Sequence, residues 1–150
     1  MVTDTVDSFH PQAKEWNINL SVDAYGGSHT IECDPRKVRI ALENIIKNAL
    51  NFTNPGGNVW VKATYPVDSV RISVSDDGIG IPEADQPKIF ERFYQVESHV
   101  ARRQGGMGLG LSIARDMIEM HGGKIKVESV EGHGSRFTIQ LPVHPPEKSG

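Results

Sequence analysis

Apolar and polar positions alternate in short runs near both ends of the sequence and adopt helical spacing in two longer stretches. Trp16-Asn17-Ile18-Asn19-Leu20-Ser21-Val22 alternates with period two, as a half-buried strand does. Tyr25-Gly26-Gly27-Ser28-His29 reads as a turn, and Thr30-Ile31-Glu32-Cys33 as a short second strand. Asp34-Pro35 then opens a helix: a carboxylate that can accept free amide hydrogens, followed by proline where a missing donor costs nothing. Val38, Ala41, Leu42, Ile45, Ile46, Ala49 and Leu50 keep the spacing of a buried helical face to about Phe52. Asn54-Pro55-Gly56-Gly57 stops it. Residues 58–65 and 69–75 read as the two strands of a hairpin, turning at Pro66-Val67-Asp68. A short helix is expected over residues 87–93. A second long helix runs from 109 to about 121, marked by Leu109, Ile113, Ala114, Met117, Ile118 and Met120, and Gly122-Gly123 ends it. Residues 124–129 and 135–141 form two last strands about a turn at Glu131-Gly132-His133-Gly134.

These elements sum to an α/β two-layer sandwich, a mixed or antiparallel sheet with helices over one face. Residues 1–13 are polar and irregular and read as a linker from an upstream domain or the end of an upstream element, residues 14–143 as the folded domain and residues 144–150 as a tail. With 150 residues, 37% of them hydrophobic, one domain with a real core is the simplest expectation. A formal charge of -3 gives no reason to expect nucleic acid or direct contact with an anionic membrane. Cys33 is the single cysteine, so no intrachain disulfide forms, which suits a reducing cytoplasm. No apolar run approaches the roughly 18 residues that span a bilayer, and the first residues lack the apolar centre of a signal peptide.

The candidate chemistry lies in two glycine turns and one stripe of asparagines. Asp76-Asp77-Gly78-Ile79-Gly80-Ile81 follows a strand, whereas Gly105-Gly106-Met107-Gly108-Leu109-Gly110-Leu111 runs into a helix. Backbone amides at a helix start attract phosphate, and glycine lets a ligand approach the backbone closely. Asp76 could accept the exocyclic amine of adenine; on spacing alone Asp77 could do so too, or either could be a turn aspartate. Asn44, Asn48 and Asn51, at i, i+4 and i+7, fall within roughly 60° of each other around the first long helix. Asparagine favours neither helix stability nor burial, but its amide can ligand a hard cation or bond phosphate oxygens. Between the glycine turns, Arg92, Arg102 and Arg103, with His99 and Gln104, suit a lid that neutralises phosphate charge. Phe90, Phe93 and Tyr94 read as anchors of the lid's base to the core. His10, His99, His121, His133 and His144 have no metal-ligand spacing among themselves or with Cys33, so a zinc site is not expected.

In these motifs the chain resembles the catalytic and ATP-binding domain of bacterial sensor histidine kinases, in the superfamily shared with DNA gyrase, related chaperones and mismatch-repair ATPases. Asn44-Ile45-Ile46-Lys47-Asn48-Ala49 resembles the family's N box, and Asp76 to Ile81 its first glycine box. Ile89-Phe90-Glu91-Arg92-Phe93-Tyr94 resembles the F box, Gly106 to Leu111 the second glycine box, and Gly132-His133-Gly134-Ser135-Arg136-Phe137 the last. The likeness extends from about Trp16 to Pro142. It implies a five-stranded mixed sheet backed by three helices, with ATP held between helices and lid. The implied nucleotide site comprises Asn44, Asn48, Asn51, Phe52, Asp76, Gly78, Gly80, Ile81, Tyr94, Gly106, Met107, Gly108, Leu109, Gly110, Leu111 and Ser135. Asp76 would hold the adenine amine, Asn48 would ligand Mg²⁺ with Asn44 assisting, and the lid arginines Arg102 and Arg103 would act in catalysis. Three positions depart from the family pattern: Asn51 and Gln95 replace basic residues that touch phosphates, and Met107 stands where threonine is usual.

The resemblance also separates transfer from hydrolysis. ATPase relatives carry a glutamate as general base where this chain has Asn44, and an amide cannot take that proton. Phosphoryl transfer to a histidine on a separate dimerising domain is therefore the expectation, with a response regulator as indirect partner. In the family that histidine precedes an acidic residue. Here His10 precedes Pro11, His121 precedes Gly122 and His144 precedes Pro145, so none fits. A monomer is expected, in the cytoplasm or as the cytoplasmic part of a membrane-bound sensor. Asn51 and Gln95 also leave open a second reading, a degenerate module that regulates a partner by docking without transferring phosphate.

Overall fold

The computed structural model describes residues 1–24, 31–94 and 109–143. Helices α1 (Val2–Asp7) and α2 (His10–Glu15) precede strand β1 (Asn19–Asp23). Helix α3 (Pro35–Asn51), strands β2 (Asn58–Thr64) and β3 (Ser69–Asp76), and a 3₁₀ turn at Gln86–Lys88 follow. Helix α4 (Gly110–Glu119) then leads into the hairpin of β4 (Lys124–Val130) and β5 (Gly134–Pro142). The strands form one five-stranded sheet in the order β1-β2-β3-β5-β4. Only β1 and β2 run parallel; the other pairs are antiparallel, so the sheet is mixed, as expected. Among the described residues, no helix is long and apolar enough to cross a membrane.

One sheet face is covered by helices. The inward positions of β2, Val59, Val61 and Ala63, meet Val70, Ile72 and Val74 of β3 and Phe137, Ile139 and Leu141 of β5. Against them α3 buries the apolar stripe read from the sequence, from Val38 to Leu50. Its start is also as read: the Asp34 carboxylate accepts the Arg36 amide at 3.0 Å, with Pro35 at the first helical position. At the centre Phe137 is fully buried, and Phe90 meets its ring edge-on at 6.2 Å between centroids.

Four expectations need correction. The first 13 residues are not irregular, because α1 and α2 form there and bury Val6, Phe9 and Ala13 in the common core. Those three apolar residues are too widely spaced to register as a periodic run, yet they suffice for two short helices. Residues 31–33 form no strand; they lead directly to the Asp34 cap. The helix expected over 87–93 is a single 3₁₀ turn at Gln86–Lys88, followed by further turns. In α4 the buried positions are Ser112, Ala114 and Ile118, whereas Ile113 and Met120 face outward. Met120 instead lies beside Lys37 of α3, whose ammonium reaches its sulfur at 3.3 Å.

Phe137→Ala removes the largest fully buried side chain and leaves a cavity under Phe90. A loss of about 3–5 kcal/mol is expected in urea unfolding; a loss under about 1 kcal/mol would mean that the sheet and helices do not share this core.

Candidate functional site

At one end of the sheet the inward positions change from apolar to polar. Along β3 the inward side chains run Val70, Ile72, Val74 and then Asp76. On β5 they run Leu141, Ile139, Phe137 and then Ser135. On β4, Ile125 and Val127 are followed by Ser129. Register places these polar ends side by side, since Asp76 pairs with Ser135 and Ser135 with Ser129.

Asp76 is 8% exposed. Its Oδ1 accepts the Gly78 amide at 3.0 Å, and the Ser135 amide also donates to the carboxyl. Burial dominates and pushes its pKa from 3.8 to about 6; those two amides oppose the shift and the nearby Asp77 adds to it. Asp77 has a different place. Its carboxylate takes the Asn58 amide at 2.7 Å and the Asn58 side chain at 2.9 Å, and it is exposed. The two aspartates thus differ in place: Asp77 is bonded to Asn58 at the surface, and Asp76 is the carboxyl that faces the interior.

The first glycine turn is clamped between α3 and the β4–β5 hairpin. Gly78 lies against the Phe52 carbonyl, where any Cβ would collide, and the Ile79 amide donates to that carbonyl at 3.1 Å. Gly80 has φ +69° and rests on the backbone of Val130 and Glu131. The Ile81 amide donates to Ser129 Oγ at 2.8 Å, and Gln86 Nε2 donates to the carbonyls of Ile81 and Ser129, both at 3.0 Å. The Ser135 hydroxyl meets Ser129 Oγ at 2.8 Å, so it is buried within this network.

The asparagine stripe lies on the flank of α3 beside α4. Asn44 Nδ2 donates to the Ile40 carbonyl at 3.1 Å, which leaves Oδ1 as its outward group. That oxygen lies 3.4 Å from where a Cβ of Gly110 would stand, at the first turn of α4. No side chain caps that turn among the described residues; Leu109 is its cap residue and Leu111 its second helical position. Asn48, Asn51 and Phe52 continue the flank, each half-buried. Tyr94 donates its hydroxyl to Asp85, which raises the phenol's pKa, and packs with Phe90 on the core's edge. Phe93 is not an anchor: at φ +65° its side chain turns outward and is 66% exposed. Arg92 reaches Asp116 of α4 at 3.8 Å. Arg102, Arg103, Gly106, Met107 and Gly108, with Gln95, His99 and Gln104, lie outside the described residues.

Residues 33–145 match the family described as histidine kinase-, DNA gyrase B- and HSP90-like ATPases. The chain belongs to this family. Among its histidine kinases, the circadian input-output histidine kinase CikA of Synechococcus elongatus is 36% identical over 144 residues, 95% of this chain but 19% of CikA. The catalytic domain of histidine kinase ThkA matches with a TM-score of 0.82 at 30% identity, over 96% of this chain and 92% of that domain. Full-length ShkA in complex with AMPPNP gives a TM-score of 0.82 at 29% identity, over 97% of this chain and 30% of ShkA. The five-stranded mixed sheet and its helices are thus those of a histidine kinase catalytic domain, and the family site is an ATP site.

Ser129, Gln86 and His121 were not among the residues read as functional. Ser129 carries a legible signal, a polar residue at an inward strand position. His121 accepts the Asp34 amide on Nε2 at 3.0 Å and bonds the Met117 carbonyl through Nδ1 at 2.7 Å, so its ring joins the start of α3 to the end of α4. Nothing in its local sequence marks that role.

The raised Asp76 pKa has a consequence for stability. The folded state holds this proton more tightly than the unfolded chain, so stability falls as pH rises from about 4 through about 6. Asp76→Asn keeps an oxygen for the Gly78 amide and removes the charge. It is expected to stabilise the nucleotide-free domain by about 1–3 kcal/mol at pH 7, with the gain absent below about pH 4. Urea unfolding of both proteins across that range checks it, and a pH-independent difference would contradict the assignment.

Proposed function

We propose that this chain binds Mg²⁺-ATP and positions it for transfer of the γ-phosphoryl group to a histidine on a dimerisation domain outside residues 1–150. The observation that carries the reading is the buried Asp76 carboxyl at the end of β3, facing a turn whose backbone is fixed at Gly78 and Ile81. A largely buried anionic acceptor suits the exocyclic amine of adenine, and guanine offers a carbonyl at the corresponding position. The start of α4 supports the phosphate end of the same ligand, because among the described residues no side chain caps its first amides.

The donor set also fits magnesium. Asn44 has its amide nitrogen engaged and its oxygen outward, next to α4, and Asn48 follows one turn along the same flank. Mg²⁺ takes hard oxygen ligands, few of them from protein and the rest from phosphates and water. When bound, it would neutralise charge on the transferring phosphates. Asn44 and Asn48 would orient it, while the lid arginines Arg102 and Arg103 would balance phosphate charge. Asn44 cannot accept a proton from water, so hydrolysis is expected to be slow. Transfer instead awaits a nucleophile brought from outside, with a response regulator as the next acceptor. The spans matched support this division, since the chain corresponds to 19% of CikA.

Calorimetric titration with a non-hydrolysable ATP analogue tests the reading. Micromolar binding that requires Mg²⁺ and is lost in a folded Asp76→Ala variant is expected. Affinity should also fall as pH drops below about 6, because protonation turns the Asp76 acceptor into a neutral acid. A folded wild-type domain without detectable binding would overturn the kinase reading and favour a docking module, for which Asn51 and Gln95 speak. Adding the histidine-bearing domain with labelled ATP then tests transfer itself.

A further inference from the structure

The network beneath the first glycine turn has a side-chain component that the ATP-site motifs do not contain. Two bonds tie the turn directly to the β4–β5 hairpin, Gly132 N–H to the Ile79 carbonyl at 2.7 Å and Ile81 N–H to Ser129 Oγ at 2.8 Å, and the Gln86 side chain forms a bridge, its Nε2 donating to the Ile81 carbonyl at 3.0 Å. The first is backbone to backbone and insensitive to side-chain identity. The other two depend on Ser129 and Gln86, and Gln86 also bonds the Ser129 carbonyl at 3.0 Å.

Ser129 is the node of this arrangement. Its hydroxyl has one hydrogen and two lone pairs, and three groups meet it. The Ile81 amide must donate to it. The Gly134 carbonyl, at 2.9 Å, can only accept from it. The Ser135 hydroxyl, at 2.8 Å, is then left to donate. With every position used, the hydrogen directions are determined, and they run from the Ile81 backbone and Ser135 onto one oxygen. Ser135 in turn gives its backbone amide to Asp76. The two sides of the base cleft, the carboxyl on β3 and the backbone at Gly80–Ile81, are thus joined through Ser129 and Ser135.

We propose that Ser129, supported by Gln86, is a positioning residue for the adenine subsite: it sets the separation between the Ile81 backbone and the Asp76 carboxyl. Ser129 does not contact the nucleotide; it acts through the Ile81 amide. This inference rests on the adenine reading of Asp76 given above. Because it concerns the base end, its effect should be the same for every ligand that carries adenine. The phosphate end, at Asn48 and the start of α4, should be unaffected.

The test compares wild type, Ser129→Ala, Ser129→Thr and Gln86→Leu as folded domains, titrated with adenosine, ADP and the ATP analogue. Ser129→Ala is expected to weaken all three by a common factor of about five to tenfold, the scale of one buried donor losing its partner. Ser129→Thr, which keeps the hydroxyl, should return to within about twofold of wild type. Gln86→Leu should fall between them. Hydrogen exchange without nucleotide gives a second readout: the Ile81 amide should lose protection in Ser129→Ala, while core amides of β3 and β5 keep theirs. Wild-type binding with an unchanged Ser129→Ala affinity would overturn the proposal and leave the adenine reading standing. A loss growing from adenosine to ATP would also overturn it, by placing the effect at the phosphates. Failure of the wild type to bind any of the three would overturn the adenine reading and this proposal together.

Discussion

The structure turns on a carboxyl group placed where a strand's core-facing pattern calls for a hydrophobe. Val70, Ile72 and Val74 of β3 are buried apolar residues, and Asp76, next on the same face, is almost as buried. Two backbone amides make this tolerable, but they do not cancel the cost of desolvating a charge, since the pKa stays raised at about 6. The neighbouring constraints follow from that position. A glycine is required at 78 because the chain must return at once against the end of α3, where the Phe52 carbonyl leaves no room for a side chain. The hairpin of β4 and β5 contributes polar residues at the same level because its strands lie in register with β3 there.

The helix layer completes the site by a difference in length. His121, just beyond α4, receives the Asp34 amide at the start of α3, so the two helices run antiparallel and are matched at that end. Asn44 meets Gly110 at the other end. Beyond that contact α3 continues for about two further turns, and the overhang carries Asn48, Asn51 and Phe52. The asparagines therefore line α3 from the first turn of α4 onward.

Much of this was legible from residue order alone. The α3 boundaries followed from Asp34-Pro35 and Asn54-Pro55-Gly56-Gly57, because caps and breakers act locally, and the heptad-like stripe between them decided its buried face. The strands of the two hairpins followed from alternation for the same reason. What escaped depends on distant partners. Val6, Phe9 and Ala13 become core only once α3 and the sheet exist to receive them, and β1, though read as a strand from its alternation, pairs with a strand about 40 residues away in sequence. In α4 an apolar residue such as Ile113 fits either face, and packing against α3 made the choice. At the site, Asp76 was separable from Asp77 only through strand parity, and Ser129 and Ser135 carried the same polar-at-an-inward-position signal. Gln86 and His121 carried none, since each acts through backbone groups supplied by other segments.

The site divides into two halves of different construction. The half around Asp76 is built from strand ends and a hairpin, held by hydrogen bonds to backbone at Gly78, Ile79 and Ile81. The half around Asn44 is built from two helices, and it presents side-chain amides and a helix start that no side chain caps among the described residues. One carbonyl, that of Phe52, joins them: it ends α3 and accepts the Ile79 amide of the glycine turn. A shift of α3 along its axis would therefore move the asparagines and the glycine turn together, in the same direction. On the proposed reading, base and phosphates are gripped by parts that share one rigid element, and the distance between the two grips is set by the length of that helix. That length is fixed by Thr53, whose buried hydroxyl returns to the Ala49 carbonyl at 2.7 Å, and by the breaker sequence that follows.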